Sequence, residues 1–133
     1  MQAACVAFLL VATAGCSAVD VNCTDMLPLS QVRISNGGAS LPDGATAEAC
    51  LVDECSSAPW RDGQVFIPLD TLPLDGIVEL RLRTISVAGT VIDEERLTVE
   101  ARTVSPNGPG CEPKVGLVKM RRVDIGTYEQ DSA

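Results

Sequence analysis

The side chains that could do chemistry in this chain are its cysteines and its carboxylates, because the 133 residues include 6 cysteines and no histidine. Without an imidazole, Ser-His-Asp and Cys-His catalysis and histidine metal sites are excluded. Paired carboxylates remain available for acid and base chemistry, and the nearest candidates are Asp93-Glu94-Glu95 and Asp53-Glu54. Neighbouring residues on a strand point to opposite faces, so a solvated strand end or turn explains these runs at least as well.

Calcium binding is the second chemistry that the acidic residues allow. Asp93 and Glu95 are one candidate set, and the loops of Asp43 and Asp62 are another, although no loop with regularly spaced oxygen ligands is visible. No glycine pair is followed by the helix and Lys-Ser/Thr that a phosphate loop needs. The net charge of −8 argues against nucleic acid. We therefore expect no cofactor and neither a nucleotide nor a nucleic acid as partner, with a calcium-binding or carboxylate-dependent secreted enzyme as the alternative function.

The N-terminal residues have the pattern of an export signal. Residues 5–15 (CVAFLLVATAG) form an apolar run of 11 residues, which is short for a spanning helix of ~20 residues and suits a signal peptide. The following Thr13-Ala14-Gly15-Cys16 resembles the lipobox of bacterial lipoproteins. That resemblance implies a signal peptide over 1–15 and a lipid on Cys16, which anchors the protein in the membrane. Cleavage after Ala14, as in ordinary secretory processing, is the alternative.

The cysteine count agrees with lipidation. Without Cys5 of the signal and a lipidated Cys16, 4 of the 6 cysteines remain, and four cysteines can close two bridges in three ways. The spacing of Cys50 and Cys55 suits a tight hairpin with Val52-Asp53 as its turn, where the cysteines face each other as a non-hydrogen-bonded pair. A redox or metal site there is disfavoured by the spacing and by the lack of histidine.

The other pair is Cys23 and Cys111, which precede the first and the last predicted strand. In an immunoglobulin-like sandwich those two strands lie side by side, so a Cys23–Cys111 bridge is expected.

The elements that must position these residues are predicted to be strands. Runs of β-branched and aliphatic residues alternate with Gly, Pro, Asn and Asp turns at sandwich spacing, and no sustained helical period occurs. Val78, Leu80 and Leu82, for example, alternate with charged residues. The predicted strands are Leu29 to Ser35, Ala45 to Val52, Glu54 to Ser57, Gln64 to Asp70, Ile77 to Ala88, Thr90 to Val104 and Val115 to Val123. We expect an all-β fold, an immunoglobulin-like antiparallel β-sandwich of about seven strands, spanning 29–123, with a tether over 16–28 and a C-terminal tail over 124–133.

One loop suggests a contact surface. Residues 56–63 (SSAPWRDG) carry the only tryptophan, Trp60, beside Arg61. Tryptophan and arginine are enriched at binding hot spots, so these two residues are the candidate binding pair. The alternative is that Trp60 closes one end of an aromatic-poor core, with Arg61 lying beside it.

Three short motifs carry a family resemblance: TAGC at Thr13, ACLVDEC ending at Cys55 and PNGPGC ending at Cys111. Together they resemble small uncharacterised lipoproteins of high-GC Gram-positive bacteria. The resemblance implies an immunoglobulin-like sandwich on the outer face of the membrane and implies no catalytic residue. We therefore expect a non-enzymatic module that binds or scaffolds another envelope protein.

Overall fold

The computed structural model describes Cys23 and residues 29–131. The predicted signal peptide, the lipidated Cys16 and most of the predicted tether lie outside the described residues. Every regular element in the described part is a strand. The eight strands are β1 Gln31–Asn36, β2 Thr46–Cys50, β3 Cys55–Pro59, β4 Gln64–Pro68, β5 Gly76–Ile85, β6 Val91–Val104, β7 Val115–Asp124 and β8 Thr127–Gln130.

The strands form a sheet in the order β3-β2-β5-β6-β7-β1-β4, with β8 added to β7. Most of the long strand β6 pairs with β5, and its last residues, from Arg102 to Val104, pair with β7. Because β6 passes from one half of the sheet to the other, the sheet curls into a nearly closed barrel.

The two ends of this sheet meet at the turn between β3 and β4. Arg61 and Gln64 form an antiparallel bridge across Asp62 and Gly63, whose φ angles are 54° and 76°. An Asp-Gly pair with both φ angles positive matches a type I′ hairpin turn. The turn therefore joins strands that then diverge into the two halves of the sheet.

The all-β, disulfide-bonded class is confirmed, with eight strands rather than about seven. All strand pairs are antiparallel except β1 and β7, which run parallel with Val32 opposite Val118. The predicted C-terminal boundary at residue 123 is wrong. After Gly126 the chain reverses and pairs with β7 as β8, and Tyr128 of this strand is buried in the core. The polar sequence around Tyr128 concealed this strand, because only one of its residues points inward.

The core is aliphatic, as the composition predicts. Its largest apolar members are Ile34, Ile67, Leu69, Leu80, Leu82, Met120, Val32 and Val118, all at most 2% exposed. The predicted alternation along β5 is confirmed, because Leu80 and Leu82 are buried and Val78 packs against the core. The opposite face of β5 is left for charged side chains.

Both predicted disulfides are present. Cys50 and Cys55 lie opposite each other in the β2–β3 hairpin. The Leu51 amide donates to the Glu54 carbonyl at 2.8 Å, which makes Val52-Asp53 the two-residue turn, as predicted. Cys23 is bridged to Cys111 across a separation of 88 residues.

Candidate functional site

A charged side chain is buried inside the barrel near the end of β7. Arg122 follows Val118 and Met120 on the inward face of β7, and its side chain is 0% exposed. Its Nε and Nη2 atoms donate to Oδ2 of Asp93, on β6, at 3.0 and 2.9 Å. Its Nη1 donates to Asn36 Oδ1 at 3.2 Å and to the Ser40 carbonyl at 2.9 Å. The guanidinium is therefore held by charge-assisted hydrogen bonds, which a buried charge requires.

The Asp93 carboxylate also accepts several hydrogen bonds. Besides Arg122, it accepts hydrogen bonds from the Tyr128 hydroxyl at 2.8 Å, the Gly126 amide at 3.1 Å and the Thr84 amide at 3.2 Å. The Thr84 hydroxyl in turn lies 2.7 Å from the Tyr128 hydroxyl. Asp93 and Arg122 with Thr84 and Tyr128 form a closed network, which we call the Asp93 cluster.

The network sets the protonation states of the Asp93 cluster. Burial alone would raise the pKa of Asp93, but hydrogen bonds from Tyr128, Gly126, Arg122 and Thr84 outweigh it, and the net pKa is lowered. Burial raises the pKa of Tyr128 above its ordinary value. A carboxylate with this many internal donors is stabilised as an anion and has little capacity left for a substrate proton or a calcium ion.

The other acidic candidates are dispersed. Glu95 accepts the Tyr128 amide at 2.6 Å, whereas Glu94 lies 4.0 Å from both Arg81 and Arg83. Adjacent carboxylates therefore face different surroundings, as the strand geometry predicts. Glu54 accepts the amide and hydroxyl of Thr71, and these hydrogen bonds lower its pKa.

The remaining acidic candidates, Asp43, Asp53 and Asp62, are exposed in their turns or loops. In the described part of the chain, the one set of three potential metal ligands that lie within 4.8 Å of one another is Glu48, Cys50 and Cys55. Both of these cysteines are oxidised in a disulfide. None of the predicted calcium ligands Asp43, Asp62, Asp93 and Glu95 belongs to this set.

Trp60 and Arg61, the predicted binding pair, differ in exposure. Trp60 is half-buried and packs against the core, its amide donates to the Ala45 carbonyl at 3.1 Å, and its indole Nε1 is buried. Arg61 is exposed in the turn that follows. Arg61 is therefore available for an external contact, while Trp60 packs against the core.

The exposed aromatic ring nearby belongs to Phe66 on β4, which is 56% exposed. The Arg33 guanidinium lies 5.4 Å from the centre of this ring, within the range of a cation–π contact. On one side Phe66 shares a cavity of about 310 Å³ with Arg61 and Gln64. On the other side it borders an open groove of about 580 Å³ with apolar walls that include Leu29, Pro68, Val104, Val115 and Leu117. We call Arg33, Arg61, Gln64, Phe66 and these groove residues the Phe66 surface.

The sequence did not single out Phe66, because Val65, Phe66 and Ile67 are all apolar. Period-two alternation cannot show which face is buried when both faces are hydrophobic. The polar Gln64 two residues earlier, on the same face as Phe66, is the one available signal.

No protein-family model, curated protein or solved structure matches this chain. The described residues also contain no helix with the length and apolar character that crossing a membrane requires.

Proposed function

We propose that this protein is a membrane-anchored extracytoplasmic module whose Phe66 surface binds an extended, acidic segment of another envelope protein. The observation that carries the proposal is the exposed Phe66 ring in a cationic setting, on a chain whose net charge is −8. Arg33 and Arg61 flank the ring, and neither forms an ion pair within the described residues. An acidic partner with apolar side chains complements this surface in both charge and hydrophobicity.

The compartment is supported by the disulfides. Two bridges in a small domain indicate an oxidising environment outside the cytosol. Lipidation of Cys16 rests on the lipobox resemblance, and an immunoglobulin-like identity rests on the resemblance to small lipoproteins. Because Cys23 is bridged to Cys111, only residues 17–22 would separate the lipid from the domain. Six residues span at most ~20 Å, so the proposed anchor keeps the domain close to the membrane.

The mode of binding follows from the position of Phe66 on a terminal strand of the sheet. β4 pairs with β1 along one side, and its other side is bridged only at the turn beside Gln64. Such a strand offers main-chain donors and acceptors to a strand added by the partner. The neighbouring grooves then bind side chains of the partner segment. The Arg33 contact with Phe66 holds the ring in place before binding, which lowers the entropic cost of association.

Mass spectrometry of the mature N-terminus tests the anchor. We expect a diacylglyceryl-modified Cys16 as the first residue, and a Cys16→Ala variant that is released from the membrane fraction. A mature chain that begins at Gly15 without lipid would overturn this part of the proposal.

Cross-linking and capture from intact envelopes tests the surface. We expect one reproducible partner, whose capture falls at least about tenfold for Phe66→Ala, as for a hot-spot aromatic. Val87→Ala is the matched control, because Val87 is 81% exposed and outside the Phe66 surface. Capture of no reproducible partner, or equal capture by both variants, contradicts the proposed binding role.

A further inference from the structure

The outer face of β2, β5 and β6 carries two arginines directly opposite each other. Arg81 on β5 pairs in register with Arg96 on β6 and with Cys50 on β2. Like charges in directly opposed positions destabilise a sheet. This row is therefore unfavourable unless something else compensates the two guanidinium groups.

The next row shows how the same face otherwise pairs its charges. Arg83 lies between Glu48 on β2 and Glu94 on β6. Its Nε donates to Glu48 at 2.7 Å, and its Nη1 lies 4.0 Å from Glu94. The signs alternate across that row, so the Arg81–Arg96 pair departs from the local rule.

Arg81 also lacks good acceptors for its donors. Its Nη2 points at the Cys50–Cys55 disulfide, 3.1 Å from Cys50 Sγ, and sulfur is a weak acceptor. Its contacts with the carboxylates of Glu48 and Glu94 are both 4.0 Å, too long for hydrogen bonds. Its Nε is buried without a partner among the described residues. Arg81 therefore has no oxygen acceptor within hydrogen-bond distance among the described residues, and the exposed part of its guanidinium can donate to one.

Arg96 is the second donor. Its side chain is exposed and makes no ion pair or hydrogen bond with any residue in the described part of the chain. Arg81 and Arg96 line a common cavity of about 310 Å³ together with the disulfide, Val52 and Glu79. The cavity therefore combines two guanidinium groups with apolar walls of disulfide and Val52.

The charges around the cavity indicate which kind of anion it can bind. Three carboxylates, those of Glu48, Glu79 and Glu94, lie on the same face as the three arginines 81, 83 and 96, so the local charge is close to balanced. A dianion such as phosphate would meet repulsion from these acids, whereas a single carboxylate satisfies the two guanidinium groups in the planar geometry they favour. The apolar walls suit an aliphatic group attached to that carboxylate.

We propose that this cavity binds a monoanionic carboxylate that carries a small aliphatic side chain, either a free acylated amino acid or the C-terminus of a peptide. The site lies on the other half of the sheet from the Phe66 surface and does not depend on it. The carboxylate accepts hydrogen bonds from Arg81 and Arg96, and the side chain packs against Val52 and the disulfide.

Titration of the full disulfide-bonded protein with N-acetyl-L-leucine, followed by NMR of the arginine Nε–Hε and backbone amide signals, tests the site. We expect shifts at Arg81, Arg96 and Val52 with a saturable dissociation constant. Arg96→Gln should weaken binding at least about tenfold, since it removes a charge-assisted pair. Arg102→Gln on the same strand is the matched control, because Arg102 is exposed and does not line the cavity.

Three further probes separate the sources and the chemistry. A tripeptide ending in leucine that binds more tightly than N-acetyl-L-leucine identifies a peptide C-terminus as ligand, and the reverse order identifies a free acid. The C-terminal amide of the tripeptide should not bind. The proposal is overturned if N-acetyl-L-leucine causes no shifts, if Arg96→Gln binds as well as Arg102→Gln, or if inorganic phosphate binds at least as tightly. If the protein captures an envelope partner but binds none of these probes, this site is refuted and the proposed function is not.

Discussion

Arg122 brings a full positive charge into an aliphatic core, and its cost is offset by Asp93. Removing one partner of such a pair leaves the other charged, buried and uncompensated, which is more damaging than losing an exposed ion pair. The Asp93 cluster therefore concentrates much of the polar stabilisation of the barrel in a few atoms. It also holds β6, β7 and β8 in one arrangement, because each of these strands supplies a member or a backbone donor.

Asp93→Asn should lower the free energy of unfolding by about 3–5 kcal/mol. Urea denaturation measures this effect. Glu94→Gln on the same strand is the control and should cost less than about 1 kcal/mol, because its arginine contacts are 4.0 Å long and partly exposed. If Asp93→Asn does not fold, the double variant Asp93→Asn/Arg122→Met should regain folding, since it removes both charges. Equal effects of Asp93→Asn and Glu94→Gln would contradict the assigned role.

The same cluster predicts how stability depends on pH. The lowered pKa of Asp93 stabilises the fold above its ordinary pKa of 3.8, and this stabilisation is lost as the pH falls through the lower folded value. The raised pKa of Tyr128 acts in the opposite sense: the stabilisation is complete below the ordinary value of 10.0 and is lost as the pH rises above it. Melting temperatures across the pH range should show a plateau between these limits. Tyr128→Phe should reduce the alkaline loss, and an unchanged alkaline limb in that variant would refute the assignment.

For single residues, the sequence indicates which way a side chain points but not which partner it meets. Val118, Met120 and Arg122 alternate on one face of a predicted strand, which marks Arg122 as inward-facing, but alternation gives no partner for it. Its partner Asp93 lies 29 residues away, and a pairing across that distance depends on which strands become neighbours. Trp60 shows the same limit, because the way the turn between β3 and β4 joins the two ends of the sheet decides that its ring packs against the core while Arg61 stays exposed.

Among the elements, β8 is linked to β6 by the amide side chain of Gln130, which makes the two hydrogen bonds that a paired strand backbone would make. Gln130 Oε1 accepts the Glu100 amide at 3.0 Å, and Gln130 Nε2 donates to the Glu100 carbonyl at 2.6 Å. Glu100 lies in β6, before the stretch of that strand that pairs with β7. The side chain thus links β8 to β6 where no backbone pairing joins them.

Gln130→Glu should loosen this connection, because a carboxylate cannot donate to the Glu100 carbonyl and would repel it. Hydrogen exchange of the Glu100 amide and of β8 should accelerate at least about tenfold, with a smaller change in global stability. Glu129→Gln is the control, since Glu129 is exposed and pairs only with Arg121 at 3.2 Å. Unchanged exchange in Gln130→Glu would show that β8 is held by its pairing with β7 alone.

The elements were largely predictable because their determinants are local. The Cys50–Cys55 hairpin follows from a spacing of 5 residues, and the faces of β5 follow from strict alternation. The adjacency of β1 and β7 was expected from the resemblance to an immunoglobulin-like sandwich, but their parallel direction and the existence of β8 were not predicted. The first depends on contacts between distant parts of the chain, and the second rests on a single buried tyrosine in a polar stretch.

At the scale of the whole molecule, the two disulfides differ most in the length of chain that they close. The loop-entropy relation assigns roughly 4.5 kcal/mol to the Cys23–Cys111 bridge and about 2 kcal/mol to the Cys50–Cys55 bridge. Cys23→Ala/Cys111→Ala should therefore lower the free energy of unfolding more than Cys50→Ala/Cys55→Ala does. Urea denaturation of the two variants gives the comparison, and a reversed order would contradict it.

The Cys23–Cys111 bridge also determines how a pulling force would pass through the molecule. Tension applied to the chain before Cys23 divides at the disulfide, and part of it enters directly at Cys111, ahead of the interior strand β7. That strand pairs with β1, β6 and β8, so detaching it requires three ladders to shear together. Without the disulfide the whole tension would enter at β1, which is held by two ladders, and the covalent link instead shares that load between β1 and β7.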